Sequence, residues 1–322
     1  MSAPEVMAAV AVQGLVAAGM VEALIRLWRV EVPEQALQLR RLALVLPLLV
    51  PAVARLPAAL GLPLPVPILF DVRRWLHLAL PGGARLGVVA AAVAVVSAAL
   101  FTFQELLPAL IRSPWTTRGA RRYREGELAA LDAALAAVAP AFGGRIPPVW
   151  MAEEGGPMAC VAGPWRPRLL ISRRLVAILA PGELRAALAH EAAHTLRDDL
   201  RTGWAWFGLR AIQCFSPAAL LEFRWTLRDQ ERACDRVAAA RTGEPAALAS
   251  ALHKVHAATA PPRPAGAVGR LLVRAGNAWE ERVAGRRLAD LQRSEPPAAL
   301  PWWRWRLAAA ASAAIAVLAL VR

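Results

Sequence analysis

Long apolar runs alternate with arginine-rich stretches along this chain, and four of the runs approach the length of a membrane helix. An α-helix that crosses a bilayer needs about 20 predominantly apolar residues. The four segments are Met7–Leu24, Leu42–Leu60, Leu86–Phe103 and Leu307–Val321. The third is the clearest, because it carries no charged residue. The second contains three prolines and Arg55, and membrane helices tolerate proline where neighbouring helices satisfy the freed carbonyl groups.

The segment near the C-terminus is short, but it follows a cluster of tryptophan and arginine residues. A helix of this length would extend only about 22 Å at 1.5 Å per residue. Trp302, Trp303 and Trp305 alternate with Arg304 and Arg306, a pattern typical of a membrane–water interface. We therefore expect a fourth membrane helix here, and the alternative is an amphipathic or buried helix.

The positions of the arginines predict the orientation of these helices. Cytoplasmic loops carry an excess of lysine and arginine close to the membrane. The strongest cluster follows the third segment and consists of Arg112, Arg118, Arg121, Arg122 and Arg124. We expect residues 1–112 to form a membrane region with about three transmembrane helices, residues 113–300 a cytoplasmic domain, and residues 301–322 a C-terminal transmembrane helix. This predicts a multi-pass protein of the cell (inner) membrane.

The pattern within residues 113–300 predicts a mainly α domain with a few short strands, of the α+β type. A helix is expected over residues 126–141, where apolar residues recur at helical spacing. Short apolar runs between glycine- and proline-rich turns predict the strands Val149–Ala152, Ala159–Val161 and Arg168–Ile171. Pro181 opens the next helix. The apolar stretch Trp204–Leu221 fits either a hairpin that dips into the membrane or a pair of internal helices.

The composition removes several classes of protein. Hydrophobic residues make up 57% of the chain, above the roughly 45–50% of soluble domains, which excludes a disordered chain. The formal charge is +14, but no groove-reading motif accompanies it, so nucleic acid is not an expected partner. The cysteines are too few and odd in number for a disulfide scaffold; they are Cys160, Cys214 and Cys234.

The sequence His190-Glu191-Ala192-Ala193-His194 falls in the helix that Pro181 opens. Residues four apart lie on one face of a helix, so both imidazoles can reach one ion. Glu191 lies about 100° round the helix from His190, which places its carboxylate beside an ion rather than on it. This is the H-E-x-x-H arrangement of zincins, in which the glutamate is the general base.

A catalytic zinc usually takes three protein ligands, and Glu231 is the best candidate for the third. It lies on a later helical stretch, with Asp235 one turn further on the same face. Asp235 and Asp199 are candidates to accept the second ring N–H of a ligating histidine. The alternative for Glu231 and Asp235 is a solvated face of charged residues, paired with Arg228, Arg232 and Arg236.

These motifs resemble the membrane-embedded gluzincin proteases, above all the BlaR/MecR-type antirepressor family. The shared elements lie within residues 145–245 and are Gly163-Pro164-Trp165-Arg166-Pro167, Leu188-Ala189-His190-Glu191-Ala192-Ala193-His194, Arg197-Asp198-Asp199, Phe215-Ser216-Pro217-Ala218 and Glu231-Arg232-Ala233-Cys234-Asp235. Three spans, a cytoplasmic protease domain and a fourth span are also similar to that family. The C-terminal β-lactam-binding sensor of its best-known members has no counterpart in this sequence, so direct antibiotic sensing is not expected.

The resemblance implies a polytopic membrane protein with a zincin-like metalloprotease domain and one Zn²⁺ per chain. His190, His194 and Glu231 would bind the ion, Glu191 would be the catalytic base, and Asp235 would hold a ligand in place. The implied activity is hydrolysis of peptide bonds on the cytoplasmic side of the bilayer. The substrate would be a protein, such as a transcriptional repressor or the chain itself, cleaved in regulatory proteolysis or signalling.

Two alternatives remain at this point. The HtpX and CAAX-protease group of membrane quality-control metalloproteases shares H-E-x-x-H and a downstream Glu-x-x-x-Asp. Alanine usually precedes that aspartate in the group, whereas Cys234 does so here. The other alternative is an inactive membrane scaffold that retains a structural zinc site. Glu191 argues against it, since a structural site does not require the base.

Overall fold

A computed structural model of the chain describes residues 3–59, 76–112, 119–259, 281–293, 299 and 301–304. The chain divides into two compact units. The first consists of Met1–Ser113, Ala205–Asp229 and Pro297–Arg322, and the second of Pro114–Trp204 and Gln230–Pro296.

The first unit is built from long helices. They are α1 (Ala3–Leu27), α2 (Pro33–Ala59), α3 (Leu86–Phe101) with a π-helical turn at Thr102–Leu106, and α4 (Leu107–Arg112). Helices α1 and α2 pack through small and branched side chains. Val21 and Leu39 are fully buried there, beside Ala17, Ala36 and Ala43.

Two helices among the described residues are long and apolar enough to cross a membrane, namely Glu5–Leu27 and Leu86–Leu106. They contain the whole of the predicted segments Met7–Leu24 and Leu86–Phe103. The predicted segment Leu42–Leu60 falls on α2, and α2 is not one of the two candidate spans. Leu60, the last residue of this segment, lies outside the described residues. Leu307–Val321 also lies outside them. Of the three predicted segments that fall wholly or mostly on described residues, two therefore meet the length and composition of a span.

Two further helices contribute residues to the first unit. Helix α8 (Asp199–Ile212) and helix α9 (Pro217–Thr242) are joined by a short turn. In that turn the Cys214 carbonyl accepts a hydrogen bond from Ser97 Oγ of α3 at 3.0 Å. Gln213 Nε2 donates to the Leu44 carbonyl of α2 at 2.8 Å. Gly14 of α1 is close as well, since a Cβ there would meet Ser216 Oγ at 3.3 Å.

Ser97, Leu44 and Gly14 all lie near the middle of their helices. The turn between α8 and α9 is therefore packed at the mid-height of α1, α2 and α3. The predicted stretch Trp204–Leu221 covers this turn, so the structure makes it two helices joined by a turn that contacts α1, α2 and α3.

A buried ion-pair cluster centres on Arg40 of α2. Its Nε donates to Asp229 Oδ2 at 2.8 Å, and its other nitrogens reach Glu22 at 3.1 Å and Glu222 at 3.3 Å. Its guanidinium also stacks over the Trp225 ring, 4.7 Å from the centroid. Buried charges are retained only where partners satisfy them, so the cluster fixes how α1, α2 and α9 pack in this unit.

The second unit contains a four-stranded mixed sheet in the order β1-β2-β4-β3. The strands are β1 (Ala120–Arg122), β2 (Val149–Ala152), β3 (Ala159–Ala162) and β4 (Arg168–Ser172). The central pair β2–β4 is parallel and both outer pairs are antiparallel. The three predicted strands are present. Strand β1 was not predicted, because its sequence Ala-Arg-Arg carries no apolar alternation.

The second unit also contains helices. They are α5 (Ala129–Val138), α6 (Arg173–Ile178), α7 (Pro181–Leu196), the first turns of α8, the later part of α9, α10 (Pro245–Ala258) and α11 (residues 281–291). Helix α7 lies at the centre, packed against α5, α10 and β3. Leu184, Leu188, Ala189 and Ala193 of α7 are among the most buried residues of the core. The described chain is thus mainly helical with a small mixed sheet.

The start of α7 is fixed by Glu183. Its carboxylate accepts hydrogen bonds from the Ala180 backbone N–H at 2.7 Å, from Ser250 Oγ at 2.6 Å and from Lys254 Nζ at 2.7 Å. The first bond satisfies a donor that a helix N-terminus leaves unpaired. The other two join α7 to α10. Burial raises the pKa of Glu183, but Lys254, Ser250 and the Ala180 N–H outweigh it and lower the pKa overall.

We expect Glu183→Gln to lower the free energy of unfolding by about 1–3 kcal/mol at neutral pH, because it breaks the charged bond to Lys254. The lowered pKa means that the carboxylate stabilises the fold above its unfolded pKa and stops doing so as the pH falls through the folded value. Thermal unfolding in detergent at pH 7.5 and pH 4 measures both effects.

The matched control is Glu154→Gln, which changes an exposed glutamate of the same unit and should leave the unfolding temperature unchanged. An equal shift in both variants, or a Glu183→Gln shift that does not shrink at acid pH, contradicts this account of the α7 terminus.

Candidate active site

Helix α7 directs two imidazoles toward one point. His190 and His194 are one turn apart, and their Nε2 atoms are 3.2 Å from each other. His190 is buried, and the His194 side chain is 13% exposed. The helix is held in the core by the small and branched residues on its other faces, so the two rings have a fixed direction.

Glu231 of α9 faces the same point. Its Oε2 atom is 3.4 Å from His190 Nε2, and its Oε1 atom is 3.5 Å from His194 Nε2. The three side chains form a group that could hold a metal ion. Tetrahedral ligands at zinc distances of about 2.0–2.1 Å lie about 3.3–3.4 Å from one another, so the spacing of these donor atoms fits one such ion.

Each histidine contacts a carboxylate through its other nitrogen. His190 Nδ1 is 2.9 Å from Asp235 Oδ1, and His194 Nδ1 is 3.3 Å from Asp199 Oδ2. A carboxylate at Nδ1 keeps the proton on that nitrogen and leaves Nε2 free to ligate. Both aspartates that the sequence singles out therefore lie beside the histidines, one for each ring.

Asp235 is only 2% exposed. The alternative of a solvated charged face therefore does not hold for Asp235, while the Glu231 side chain is 36% exposed. The partners of Asp235 are His190 and Arg287, and they come from other helices than its own.

Cys234 of α9 also contacts this group of residues, beside His194 and Asp199. Its thiol donates to Asp199 Oδ2 at 3.0 Å and is 3.4 Å from His194 Nδ1. Burial, followed by the Asp199 carboxylate, raises the pKa of Cys234. Burial, followed by Glu191, raises the pKa of Cys160 in β3 to about 11. Neither thiol is therefore a thiolate nucleophile at neutral pH.

Two arginines complete the cluster. Arg287 of α11 bonds Asp235 through Nε at 2.6 Å and Nη2 at 2.8 Å, and its Nη1 is 3.1 Å from Glu231 Oε2. Arg197 Nε donates to Asp199 Oδ2 at 3.1 Å. Sequence analysis missed Arg287, since it lies 52 residues from Asp235 and belongs to no local pattern.

The charges of this cluster favour a cation. Three carboxylates, Asp199, Glu231 and Asp235, contact two arginines, so they carry one negative charge in excess when the imidazoles are neutral, and Glu191 adds a fourth carboxyl group. Burial lowers the pKa of His190, but the Asp235 and Glu231 carboxylates outweigh it and raise this pKa to about 10. A site with this balance attracts either protons or a divalent metal ion.

Glu191 lies beside the donor atoms without belonging to the metal-capable group. Its side chain is buried, and burial raises its pKa. The backbone of Val161 in β3 hydrogen-bonds its carboxylate. A buried carboxylate with a raised pKa is suited to proton transfer near neutral pH.

The other histidines on the second unit do not join this site. His253 and His256 of α10 are exposed. Within the described part of the chain, the groups that could hold a metal are His190 with His194 and Glu231, and His194 with Asp199 and Cys234.

Comparison with known proteins gives one family. The model described as BlaR1 peptidase M56 matches residues 84–284, well over half of the chain. The matched range contains His190, Glu191, His194, Glu231 and Asp235, whereas Arg287 lies just beyond it. No curated protein matches the sequence.

We expect the apparent zinc affinity to rise by about tenfold per pH unit between pH 6 and pH 8, because an ion must displace the proton that the raised His190 pKa retains. Competition with a chromogenic chelator, corrected for the chelator's own titration, measures this slope. The double variant His253→Ala/His256→Ala should keep the same slope. An affinity that does not change with pH would mean that the ion binds elsewhere.

Proposed function

Because the chain belongs to the BlaR1 peptidase M56 family, we propose that it is a zinc-dependent endopeptidase of the membrane that cleaves a protein substrate in regulatory proteolysis. The observation that carries the zinc-dependent reaction is the spacing of three donor atoms on His190, His194 and Glu231, at 3.2–3.5 Å. That spacing suits one Zn²⁺ per chain and leaves the fourth tetrahedral position open for the reaction.

A zinc ion bound by these residues would polarise the scissile carbonyl and acidify water beside it. Glu191 would accept the proton of the attacking water and pass it to the leaving amine as the peptide bond breaks. Asp235 and Asp199 would keep the two imidazoles in the tautomer that ligates through Nε2. The raised pKa of Glu191 supports its role, because a stronger base than an ordinary glutamate takes up the proton more readily.

An extended peptide is the substrate form that the second unit suits. Strand β3 lies at the edge of the sheet, and its Val161 backbone contacts the Glu191 carboxylate. An unpaired strand edge binds an extended chain through backbone hydrogen bonds. A peptide added to β3 would therefore pass beside the general base. This peptide would belong to a repressor or to the protein itself.

The first unit has features that support a location in the bilayer. Val88, Val95 and Val96 of α3 are 64%, 68% and 58% exposed, and a span with so many exposed apolar side chains is suited to lipid. The turn between α8 and α9 is packed at the mid-height of α1–α3, where its Gln213 amide is satisfied by Leu44. Irregular backbone at membrane depth is tolerated only where protein buries it.

We propose the topology that the arginine distribution predicts. Residues 1–112 would lie in the membrane, residues 113–300 would contain the cytoplasmic active site, and residues 301–322 would return to the membrane. The hairpin of α8 and α9 adds residues 205–229 to the membrane region, since these belong to the first unit.

The catalytic assignment is tested with Glu191→Gln. We expect it to bind one zinc per chain like the wild type and to lower kcat by about 10²–10⁴-fold, since only the base is lost. Glu231→Ala should weaken zinc binding as well as cleavage. Metal content and cleavage of casein or of the chain itself are measured on the purified protein in detergent.

Glu154→Gln is the control and should behave like the wild type in both measurements. Zinc binding by the wild type without any cleavage would favour the inactive scaffold. Cleavage by Glu191→Gln at the wild-type rate would remove the base from the mechanism.

The membrane assignment is tested at Val96. In a variant without the three natural cysteines, a spin label on Val96→Cys in proteoliposomes should be more accessible to oxygen than to a water-soluble nickel reagent, as expected near the bilayer centre. A label on Glu154→Cys should show the opposite preference. A water-exposed label at Val96 would rule out α3 as a span.

A further inference from the structure

We propose that Arg287 is a positioning residue of the metal centre, which fixes Glu231 directly and His190 through Asp235. The inference rests on the proposed zinc site and adds a fourth helix, α11, to it. Arg287 lies outside the matched family range and outside every motif in the sequence.

The Arg287 guanidinium contacts two carboxylates at once, those of Asp235 and Glu231. Nε and Nη2 bond the two oxygens of Asp235, at 2.6 Å and 2.8 Å, while Nη1 approaches Glu231 Oε2 at 3.1 Å. Asp235 Oδ1 is also the atom that contacts His190 Nδ1. Arg287 therefore restrains one proposed ligand by contact and a second through one intervening carboxylate.

Charge alone does not account for this arrangement. A positive group beside a cation site repels the cation, so a simple counter-charge would weaken metal binding. A planar guanidinium can, however, hold two carboxylates in a fixed mutual orientation, because its N–H donors point in fixed directions. An ammonium group is a point charge without such a planar set of donors. The Arg287 side chain is only 14% exposed, so solvent screens the contacts little.

Helix α11 is held against α9 independently of these bonds. Arg232 Nε donates to Asp290 Oδ2 at 2.6 Å. Leu291 is buried in the hydrophobic core, and Leu288 packs against it. A change at Arg287 that keeps its charge can therefore alter the orientation of the ligands while α11 stays docked.

The test compares Arg287→Lys with Arg286→Lys in the full chain. Arg286 is the preceding residue of α11 and is exposed, so its substitution repeats the chemical change away from the site. Zn²⁺ affinity is measured by chelator competition, and the visible absorption of the Co²⁺-loaded protein reports ligand geometry. Thermal unfolding of the metal-free protein reports folding.

We expect Arg287→Lys to weaken zinc binding by about 10- to 100-fold, as for other residues that orient metal ligands, and to change the Co²⁺ absorption at saturation. Arg286→Lys should stay within twofold of the wild type with an unchanged spectrum. Wild-type affinity and spectrum in Arg287→Lys would overturn the proposal, because the charge alone would then suffice.

Asp290→Asn separates positioning from helix docking. It removes the negative charge that pairs with Arg232 and leaves Asp235 and Glu231 unchanged, so we expect a lower unfolding temperature with zinc affinity within about twofold of the wild type. A loss of affinity as large as in Arg287→Lys would overturn the proposal, since docking of α11 would explain both. Failure of the wild type itself to bind zinc would instead refute the proposed function.

Discussion

Two imidazoles held close together inside a packed core impose the main constraint on the second unit. A helix with His190 and His194 one turn apart gives them a common direction, but burial disfavours the charged residues around them. Small residues of α7 itself let the helix pack closely in the core, and a carboxylate contacts the Nδ1 atom of each ring. Asp235 and Asp199 come from other parts of the chain, so the site requires α7, α8 and α9 together.

The carboxylates in turn need balancing charges. Asp199 receives Arg197 from nearby in the chain, while Asp235 and Glu231 share Arg287 from α11. The two guanidinium groups balance two of these three carboxylates, so the group keeps an excess of negative charge that favours a cation. A lysine could neutralise one carboxylate, but the geometry of two carboxylates around one point favours the planar fork of arginine.

The first unit solves a related problem with polar groups among apolar helices. The α8–α9 turn exposes backbone carbonyls and the Gln213 amide, and these bond Ser97 and Leu44 of the neighbouring helices. Arg40 likewise collects three carboxylates in one buried cluster. In both places, polar groups that burial would penalise are paired with groups from distant parts of the chain.

Local spacing in the sequence determined the features that depend on a few neighbouring residues. The H-E-x-x-H pattern gave α7 with its two imidazoles on one face, and turn residues delimited β2, β3 and β4. The sequence could name Glu231 as the candidate third ligand and Asp235 and Asp199 as candidate partners of a ligating histidine, but it could not say which aspartate contacts which ring. Arg287, strand β1 and the partners of Arg40 followed only from the tertiary structure, because each depends on contacts between residues far apart in the chain, and no local periodicity records such contacts.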